Sequence, residues 1–224
     1  MGQTITLKAK DGHSFSAYRA DPAGKPKGAI VVIQEIFGVN HHIKAVADGY
    51  AKEGYVAVAP ALFDRVEKNV DLGYDQASMT AGRGYIGKVP PEAIAADTQS
   101  AIDYAKQFGK VGIVGYCLGG SVAFRAATQL DGIVAAVGYY GGQIAGMAQS
   151  KPKVPTMLHF GDQDQSIPPA DVDKIKAARG GDTQIFVYQG AGHGFNCDER
   201  PSWNAESAKT ALGRTLDFFK THIG

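Results

Sequence analysis

One cysteine of the sequence lies in a setting that favours nucleophilic chemistry. Cys117 stands in the stretch VGIVGYCLGG (residues 111–120), with Gly115 and Gly119 two positions away on either side. An apolar run precedes it and a helical pattern follows, which is typical of a nucleophile elbow with cysteine in place of serine. The glycines let neighbouring backbone approach a strained turn, and the helix dipole favours thiolate over thiol. The pattern therefore predicts a reactive thiol, although most free cysteines are small buried hydrophobes.

A carboxylate and a histidine follow Cys117 in the order that such a nucleophile requires. Asp162 and Asp164 come directly after an apolar run, and His193 lies between two glycines after the next one. Open α/β sheets place their sites beyond the carboxyl ends of their strands, so these side chains are expected to meet at one edge. His193 would take the thiol proton, and an aspartate would hold the imidazole in the correct tautomer. The spacing does not decide between the two aspartates.

The stretch QEIFG (residues 34–38) follows an earlier apolar run. In a nucleophile-elbow fold, one oxyanion donor comes from the turn after this strand and the other from the residue after the nucleophile. This rule assigns the backbone N–H groups of Ile36 and Leu118. Glu35 is unusual, because a carboxylate near the end of a buried strand is costly without a partner. It is either a site residue that contacts Cys117 or a structural cap.

The elements that must position these residues are indicated by the hydrophobic pattern. Short continuous apolar runs predict strands buried on both faces. They are residues 29–33, 56–59, 111–114, 133–137, 156–160 and 185–188. Apolar stripes at helical spacing lie between or after them. One stripe is Ile94, Thr98, Ala101, Ile102, Ala105 and Phe108, and another is Ala208, Leu212, Leu216 and Phe219. The alternation predicts right-handed crossovers and a mostly parallel central sheet with helices on both faces.

Two stretches depart from this alternation. Alternating residues on either side of Asp11 and Gly12 predict a hairpin that adds an antiparallel edge to the sheet. Residues 62–90 are the least regular part of the chain and include Arg83 and Tyr85. A long connection after a strand often covers a site, although a plain surface excursion is about as common. Because there is no repeat and no low-complexity linker, residues 1–224 are expected to form a single α/β domain.

Composition excludes several classes of protein. Hydrophobic residues make up 44% of the chain and charged residues 20%, which rules out a disordered or fibrous chain. The formal net charge of +1 gives no electrostatic footprint for nucleic acid or for an anionic membrane. Two cysteines exclude a disulfide framework, and no apolar stretch is long enough to span a membrane. Since no secretory signal is visible, we expect a cytoplasmic protein with reduced thiols.

These stretches resemble the signatures of the dienelactone hydrolase family, the carboxymethylenebutenolidase-like branch of the α/β-hydrolase superfamily. The four stretches are QEIFG (34–38), GYCLGG (115–120), GDQDQSIP (161–168) and AGH (191–193). The resemblance spans nearly the whole chain and implies the α/β-hydrolase fold. It implies that Cys117, Asp164 and His193 are catalytic, with Asp164 as the acid rather than Asp162.

The resemblance also implies a substrate and further site residues. The family's glutamate, here Glu35, contacts the thiol at rest and takes part in its activation. The implied substrate is a cyclic dienelactone that carries a carboxylate and is hydrolysed to maleylacetate in the degradation of chlorinated aromatics. The family binds that carboxylate with arginines, but Cys197 stands four residues after His193, where one of them is expected, and Arg200 is three further on. Arg200 and, from the irregular segment, Arg83 are the candidates.

Phe37 and Tyr85 are the aromatic residues expected at the substrate pocket, although such residues are more often core. The sequence therefore predicts a cysteine hydrolase that opens a small lactone or ester, first of all dienelactone, through a thioester acyl-enzyme. No metal and no cofactor is needed, the expected partner is a small-molecule substrate, and the expected state is a monomer. Two alternatives stay open: a general small-ester carboxylesterase, and a non-catalytic ligand-binding or redox-sensing protein on this scaffold.

Overall fold

The structure, a computed structural model, describes residues 2–224 and contains an eight-stranded sheet. The strands are β1 (Gln3–Lys8), β2 (Ser14–Ala20), β3 (Ala29–Ile33), β4 (Val56–Pro60), β5 (Val111–Tyr116), β6 (Ala135–Tyr139), β7 (Thr156–Gly161) and β8 (Thr183–Tyr188). Their order across the sheet is β1-β2-β4-β3-β5-β6-β7-β8. β2 pairs antiparallel with β1 and with β4, and the other neighbouring pairs are parallel. The predicted mostly parallel sheet with an antiparallel N-terminal edge is confirmed.

Helices cover both faces of this sheet. They are α1 (His41–Lys52), α2 (Gln76–Ile86), α3 (Pro91–Ala105), α4 (Leu118–Gln129), α5 (Pro169–Arg179) and α6 (Ala205–His222). Side chains of the central strand β3 alternate between two buried clusters. Ile30 and Val32 pack in the cluster that includes residues of α1, α5 and α6, whereas Val31 and Ile33 pack in the cluster that includes residues of α3 and α4. Because β3 is buried on both sides, its sequence is continuously apolar rather than alternating.

The apolar stripe predicted for the last helix is only partly buried. Phe219 is fully buried, but Leu212 is 43% exposed, and the core face of α6 is formed by other residues, Ala211 and Phe218 among them. Ala208, Leu212 and Leu216 instead line a surface cavity of about 530 Å³ between α1 and α6. The predicted helix is confirmed, but its buried face also includes the polar Thr215, whose hydroxyl contacts Tyr139 at 2.6 Å.

Residues 62–90 contain helix α2, which the sequence pattern did not predict. The sequence of this helix has two internal glycines, which disfavour helix, and no apolar residues at helical spacing, since the helix buries little beyond Gly82. It begins where the Asp75 carboxylate accepts a hydrogen bond from the Ser78 N–H at 2.7 Å. A side chain at Gly82 would overlap the carbonyl group of Ile36, so the helix lies directly against the turn after β3. Across residues 2–224, no helix combines the length and the apolar character needed to cross a membrane.

Candidate functional site

Cys117 occupies the break between β5 and α4. Its φ of 54° and ψ of −113° are strained for a residue with a Cβ atom. The Cys117 N–H donates to the Tyr139 carbonyl at 3.1 Å, which ties the turn to the neighbouring strand. A side chain at Gly115 would collide with the backbone of Gly119, and one at Gly119 would collide with the backbone of Ile33. Both glycines are therefore required by close backbone contact, and the turn leaves the thiol half-buried at the carboxyl edge of the sheet.

A chain of hydrogen-bonding groups begins at this thiol. The Cys117 Sγ atom lies 3.1 Å from His193 Nε2, and His193 Nδ1 lies 2.8 Å from Asp164 Oδ2. The Asp164 side chain is fully buried, and its other oxygen accepts from the backbone N–H groups of Ser166 at 2.8 Å and Ile167 at 3.2 Å. Three side chains from distant parts of the sequence thus form one continuous relay in which a proton can move between sulfur and imidazole.

The two aspartates after β7 have different partners. Asp162 is exposed, and its Oδ1 accepts from the Gly190 N–H at 2.7 Å, which fixes the start of the loop that carries His193. Asp164 points inward to the imidazole. Spacing from the strand could not separate them, but the geometry places Asp164 in the orienting position, in line with the resemblance.

The partners of His193 determine its charge. Burial by itself lowers the pKa of His193, but hydrogen bonds from the ring to Asp164 and to Cys117 outweigh burial and raise the pKa to about 10. At neutral pH the imidazolium is therefore the favoured form. It lies beside a sulfur at the N-terminus of α4, where the helix dipole stabilises negative charge. The arrangement suits a thiolate–imidazolium pair, with a nucleophile and a proton donor in contact.

The two expected oxyanion donors lie just beyond the ends of adjacent strands. Ile36 follows β3 and Leu118 follows β5, and these strands are paired in parallel up to Ile33 and Gly115. Among residues 2–224, neither backbone N–H has a protein acceptor. The Gln34 side chain holds the turn after β3, because its carbonyl oxygen accepts from the Leu62 N–H at 3.0 Å and its amide donates to the Glu35 carbonyl at 3.3 Å. The turn after β3 is thus tied to Leu62, and the N–H groups of Ile36 and Leu118 suit a developing oxyanion.

Glu35 is fully buried and ion-paired. Its Oε1 lies 3.2 Å from Arg200 Nη1, and its Oε2 accepts from the Tyr74 hydroxyl at 3.3 Å. Within residues 2–224 these are its side-chain hydrogen bonds, so the structure gives Glu35 partners other than the Cys117 thiol that the resemblance implied. A buried carboxylate needs such a partner, because an isolated charge in this position would be strongly destabilising.

Arg200 reaches this carboxylate although its position in the sequence is displaced. Its side chain is 15% exposed, and its guanidinium carbon lies 5.7 Å from the ring centroids of both Phe37 and Tyr74. Phe37 is 1% exposed and forms part of this aromatic surface under the guanidinium. The loop after His193 therefore brings Arg200 to the Glu35 carboxylate from seven positions further along the chain. Of the two candidate arginines, Arg200 is the one that the structure places at Glu35.

Arg83 and Tyr85 lie on α2, and their side chains do not contact the Glu35–Arg200 pair. Arg83 is exposed and has no ion-pair partner among the described residues. The Tyr85 ring packs 5.4 Å from the ring of Phe63, and its hydroxyl donates to Glu67 at 2.6 Å. The structure thus shows both residues on the helix that lies against Ile36, but it shows no contact of either side chain with Cys117.

Two tyrosines were missed by sequence reasoning. Tyr74, within the irregular segment, holds Glu35. Tyr140 follows β6 with a φ of 37°, and its ring centroid lies 5.2 Å from that of His193. Its hydroxyl is buried and has no partner in the described part of the chain. Burial, followed by the charge of Glu35, raises its pKa well above 10. Tandem tyrosines before two glycines at a strand end were the available signal.

Comparison with known proteins decides the family. The sequence model of the dienelactone hydrolase family matches residues 15–223. The chain belongs to the dienelactone hydrolase family. Carboxymethylenebutenolidases of Pseudomonas putida and Pseudomonas knackmussii are each 35% identical to it over 223 residues, which cover 96% of this chain and 94% of each relative. This membership makes the protein an enzyme that hydrolyses ester bonds.

Solved structures agree with the fold of this family. The structure of a candidate dienelactone hydrolase from Klebsiella pneumoniae is 29% identical in sequence and has a TM-score of 0.85. The match covers 98% of this chain and 100% of the Klebsiella chain. A dienelactone hydrolase-like promiscuous phosphotriesterase from metagenomic libraries has a TM-score of 0.78 at 20% identity, with coverage of 100% of this chain and 99% of its own. At that identity the second likeness concerns the fold alone. The predicted α/β-hydrolase fold is confirmed.

Proposed function

We propose that this family member is a cysteine-dependent hydrolase that opens a small lactone, dienelactone in the first place, to maleylacetate. The observation that carries the proposal is the relay from Cys117 Sγ to His193 Nε2 at 3.1 Å and from His193 Nδ1 to Asp164 Oδ2 at 2.8 Å. The relatives named carboxymethylenebutenolidase support the substrate class.

Acylation begins at the sulfur. The Cys117 thiolate attacks the lactone carbonyl carbon, an S–C bond forms, and the carbonyl π electrons move to the oxygen. The N–H groups of Ile36 and Leu118 receive that oxyanion; losing one such donor typically costs about 10²–10³-fold in rate. When the intermediate collapses, the ring C–O bond breaks and the imidazolium of His193 gives its proton to the leaving enolate oxygen. The products of this half-reaction are a thioester and a neutral imidazole.

Deacylation uses the same groups in reverse. The neutral imidazole of His193 takes a proton from water while the water oxygen attacks the thioester carbon. The C–S bond then breaks, the acid is released, and the thiolate–imidazolium pair is restored. One water molecule is consumed for each ester bond that is cleaved. Thiolate is a good leaving group, so esters and lactones suit this nucleophile better than amides do, because amines leave poorly.

Arg200 is the group proposed to bind the substrate carboxylate. Guanidinium binds carboxylates in a bidentate manner, and here it is held by Glu35 at 3.2 Å and lies over two aromatic rings. A substrate carboxylate would compete with Glu35 for this guanidinium. Displacing Glu35 from Arg200 would connect substrate binding to a movement of Glu35, the residue to which the resemblance gives a part in activating Cys117. We propose supporting roles for Arg83, Tyr85 and Phe37 in shaping the pocket.

The test is acylation itself. Wild-type enzyme and a Cys117→Ala variant are mixed rapidly with p-nitrophenyl acetate and with dienelactone. We expect a pre-steady-state burst of p-nitrophenol in the wild type and neither burst nor turnover in the variant. Undiminished turnover of both substrates by Cys117→Ala would overturn the proposal. Saturable binding of dienelactone without turnover by the wild type would favour a ligand-binding protein instead.

A substrate panel separates the specific proposal from a general esterase. The kcat/KM values for the dienelactone isomers are compared with those for neutral aryl esters of similar size. A clear preference for the carboxylate-bearing lactones supports the assignment of dienelactone. Equal or higher values for neutral esters would identify a general small-ester carboxylesterase that uses the same thiol.

A further inference from the structure

Behind Glu35 lies a second group of side chains that the proposed reaction does not use. One oxygen of Glu35, one ring nitrogen of His42 and the sulfur of Cys197 all lie within 4.8 Å of one another, and all three residues are buried. Carboxylate, imidazole and thiolate are the three ligand types that zinc binds in proteins. The three are far apart in sequence, with no metal-binding spacing, so only the fold brings them together.

His42 is the part of this group that points to a ligand. Its side chain is 5% exposed. The Nδ1 atom lies 3.4 Å from the Asp198 carboxylate, while the Nε2 atom is buried and has no hydrogen-bond partner in the described chain. An unsatisfied polar atom in this position destabilises a protein unless something binds it. A carboxylate on one ring nitrogen, with the other nitrogen left for a metal, is how protein histidines are oriented as ligands.

The cluster can be reached from the surface. His42 and Asp198 both line the cavity of about 530 Å³ between α1 and α6. Asp198 and Glu199 are exposed, and with His42 they form a second set of ligand atoms within 4.8 Å of one another. A cation that enters this cavity meets the exposed Asp198 carboxylate and the His42 imidazole. Atoms of Glu35 and Cys197 then lie within 4.8 Å of a ring nitrogen of His42.

We propose that Glu35, His42 and Cys197 bind one thiophilic divalent cation of the zinc type. Ligand atoms around tetrahedral zinc lie roughly 3.3–3.8 Å apart, so small side-chain rotations close the present separations. The Cys197 S–H bond breaks, its proton goes to solvent, and a sulfur–metal bond forms without any oxidation or reduction. The fourth position is left for water.

The positive charge of Arg200 does not exclude the cation. The metal ion, the two anionic ligands and the guanidinium together carry a formal charge of +1, and the Asp198 carboxylate beside His42 offsets it. The Glu35 carboxylate has two oxygens, so one can stay near Arg200 while the other turns from Tyr74 to the metal. Bound metal would hold Glu35 in place. This regulatory consequence, unlike the binding itself, rests on the proposed function, in which Glu35 must be free to move.

Cobalt provides a direct probe. The chain has two cysteines, so a Cys117→Ser variant leaves Cys197 as the one thiol. We expect titration of this variant with Co²⁺ to produce a thiolate-to-cobalt charge-transfer band in the near ultraviolet and to release one thiol proton per ion bound. Zn²⁺ should then displace the cobalt and abolish the band without further proton release. The band should vanish in Cys117→Ser/Cys197→Ser. Adding His42→Ala should weaken binding by about 100-fold or more, since even indirect partners of metal ligands are worth about 10–100-fold.

A neighbouring histidine provides the matched control. His41 is exposed and pairs with Glu199, so His41→Ala in the same background should leave Co²⁺ affinity within about 3-fold. Circular dichroism and the thermal midpoint establish that each variant is folded, and Cys197→Ala replaces Cys197→Ser if the serine variant is not. Cobalt binding without a charge-transfer band, or a band that His42→Ala leaves unchanged, would overturn the proposal.

Activity supplies an independent arm. Zn²⁺ can also bind the Cys117–His193 pair directly, so inhibition of p-nitrophenyl acetate hydrolysis is compared between wild type and Cys197→Ser. We expect the variant to need at least about 10-fold more Zn²⁺ for half-inhibition. Equal sensitivity would show that the buried cluster does not act on catalysis. If the enzyme hydrolyses none of the esters tested, the cobalt titration still decides whether the metal site exists.

Discussion

Two histidines, one in the loop after β8 and one within β7, have opposite chemistry. His193 contacts the Asp164 carboxylate and the Cys117 sulfur, and its pKa is raised to about 10 because these bonds outweigh burial. His159, in β7, contacts the hydroxyls of Tyr188 at 2.9 Å and Thr215 at 3.1 Å. Burial, with a smaller effect of a nearby arginine, lowers its pKa to about 3.

The comparison shows that burial alone does not make a histidine catalytic. Both rings use both nitrogens, but His159 is fully buried whereas the His193 side chain is 18% exposed. The hydroxyl partners of His159 satisfy a neutral ring and provide no negative charge to stabilise an imidazolium. The carboxylate partner of His193 stabilises the charged ring, and the sulfur gives it a group with which to exchange a proton. Partner charge, rather than depth, distinguishes the reactive region from the structural one.

The largest expected effect comes from the same substitution at both histidines. His193→Gln should lower kcat/KM for p-nitrophenyl acetate by about 10⁴–10⁶-fold, as loss of a triad histidine does. His159→Gln should leave kcat/KM within about 3-fold but lower the free energy of unfolding by about 1–3 kcal/mol, since two buried hydroxyls each lose a hydrogen bond with the ring. Steady-state kinetics and urea unfolding measure the two effects. If folded His159→Gln lost turnover, the distinction between a catalytic His193 and a structural His159 would be wrong.

A second test exchanges the carboxylate partner for an amide. Asp164→Asn should lower kcat by about 10⁴-fold, because the amide favours the wrong tautomer of His193 and no longer stabilises the imidazolium. Asp162→Asn is the matched control, since that side chain is exposed and contacts the backbone of Gly190. We expect it to retain kcat within about 5-fold, with at most a small loss of stability. Equal losses in both variants would argue that loop order, and not the carboxylate charge, is what His193 requires.

Each region also has an arginine, and these provide a third test. Arg200 is held by Glu35, whereas Arg214 donates to the Tyr188 hydroxyl at 3.1 Å and lies 4.1 Å from the ring centroid of Phe186. Arg200→Ala should raise KM for dienelactone by about 10–100-fold, the loss of a charge-assisted bidentate contact. The KM for a neutral aryl ester should change much less. Arg214→Ala should leave both values alone, and a matching rise of KM there would refute the assignment of Arg200 to the carboxylate.

The smallest effects are expected in the pH dependence of stability. The pKa of His159 is lowered from 6.5, so its contribution is present above pH 6.5 and is lost as the pH falls toward about 3. The pKa of His193 is raised, so its contribution is present below pH 6.5 and is lost as the pH rises toward about 10. Each group gives a slope of up to roughly 1.4 kcal/mol per pH unit within its window.

Urea unfolding at a series of pH values measures these slopes. We expect His159→Gln to flatten the acid limb between about pH 5 and 6.5, and His193→Gln to flatten the alkaline limb between about pH 7 and 9.5. Variants that flatten the opposite limbs would reverse the assignment of charge to the two rings.

Much of the fold was predictable because burial leaves a strong signal in the sequence. A strand covered on both faces must be apolar throughout, as residues 29–33 are, and the turn at Cys117 must have glycines where backbones touch. The signal weakens where burial is slight. Helix α2 buries little beyond Gly82, so its sequence has no apolar periodicity from which the helix could be predicted. In α6 the polar Thr215 takes a core position by bonding Tyr139, and Leu212 is left exposed.

The candidate site was predictable to different depths for similar reasons. The roles proposed for Cys117 and His193 follow from local motifs at strand ends, where topology guarantees that they converge. The choice of Asp164 over Asp162 required the resemblance, because both lie in the same loop after β7 and their distance from the strand does not show which one faces His193. The partners of Glu35 could not be predicted: Tyr74 comes from the irregular segment, and Arg200 reaches the site through a loop whose path no pattern specifies.

The contact between Gly82 and the turn after β3 has a consequence for how this enzyme can be re-engineered. The segment between β4 and α3 includes a helix whose Gly82 lies against the carbonyl group of Ile36, the residue whose N–H is proposed to receive the oxyanion. A graft that places even one methyl group at position 82 would displace the backbone of Ile36 and slow every substrate alike. A new segment must therefore keep glycine at the position of Gly82 before the shape of its pocket is considered.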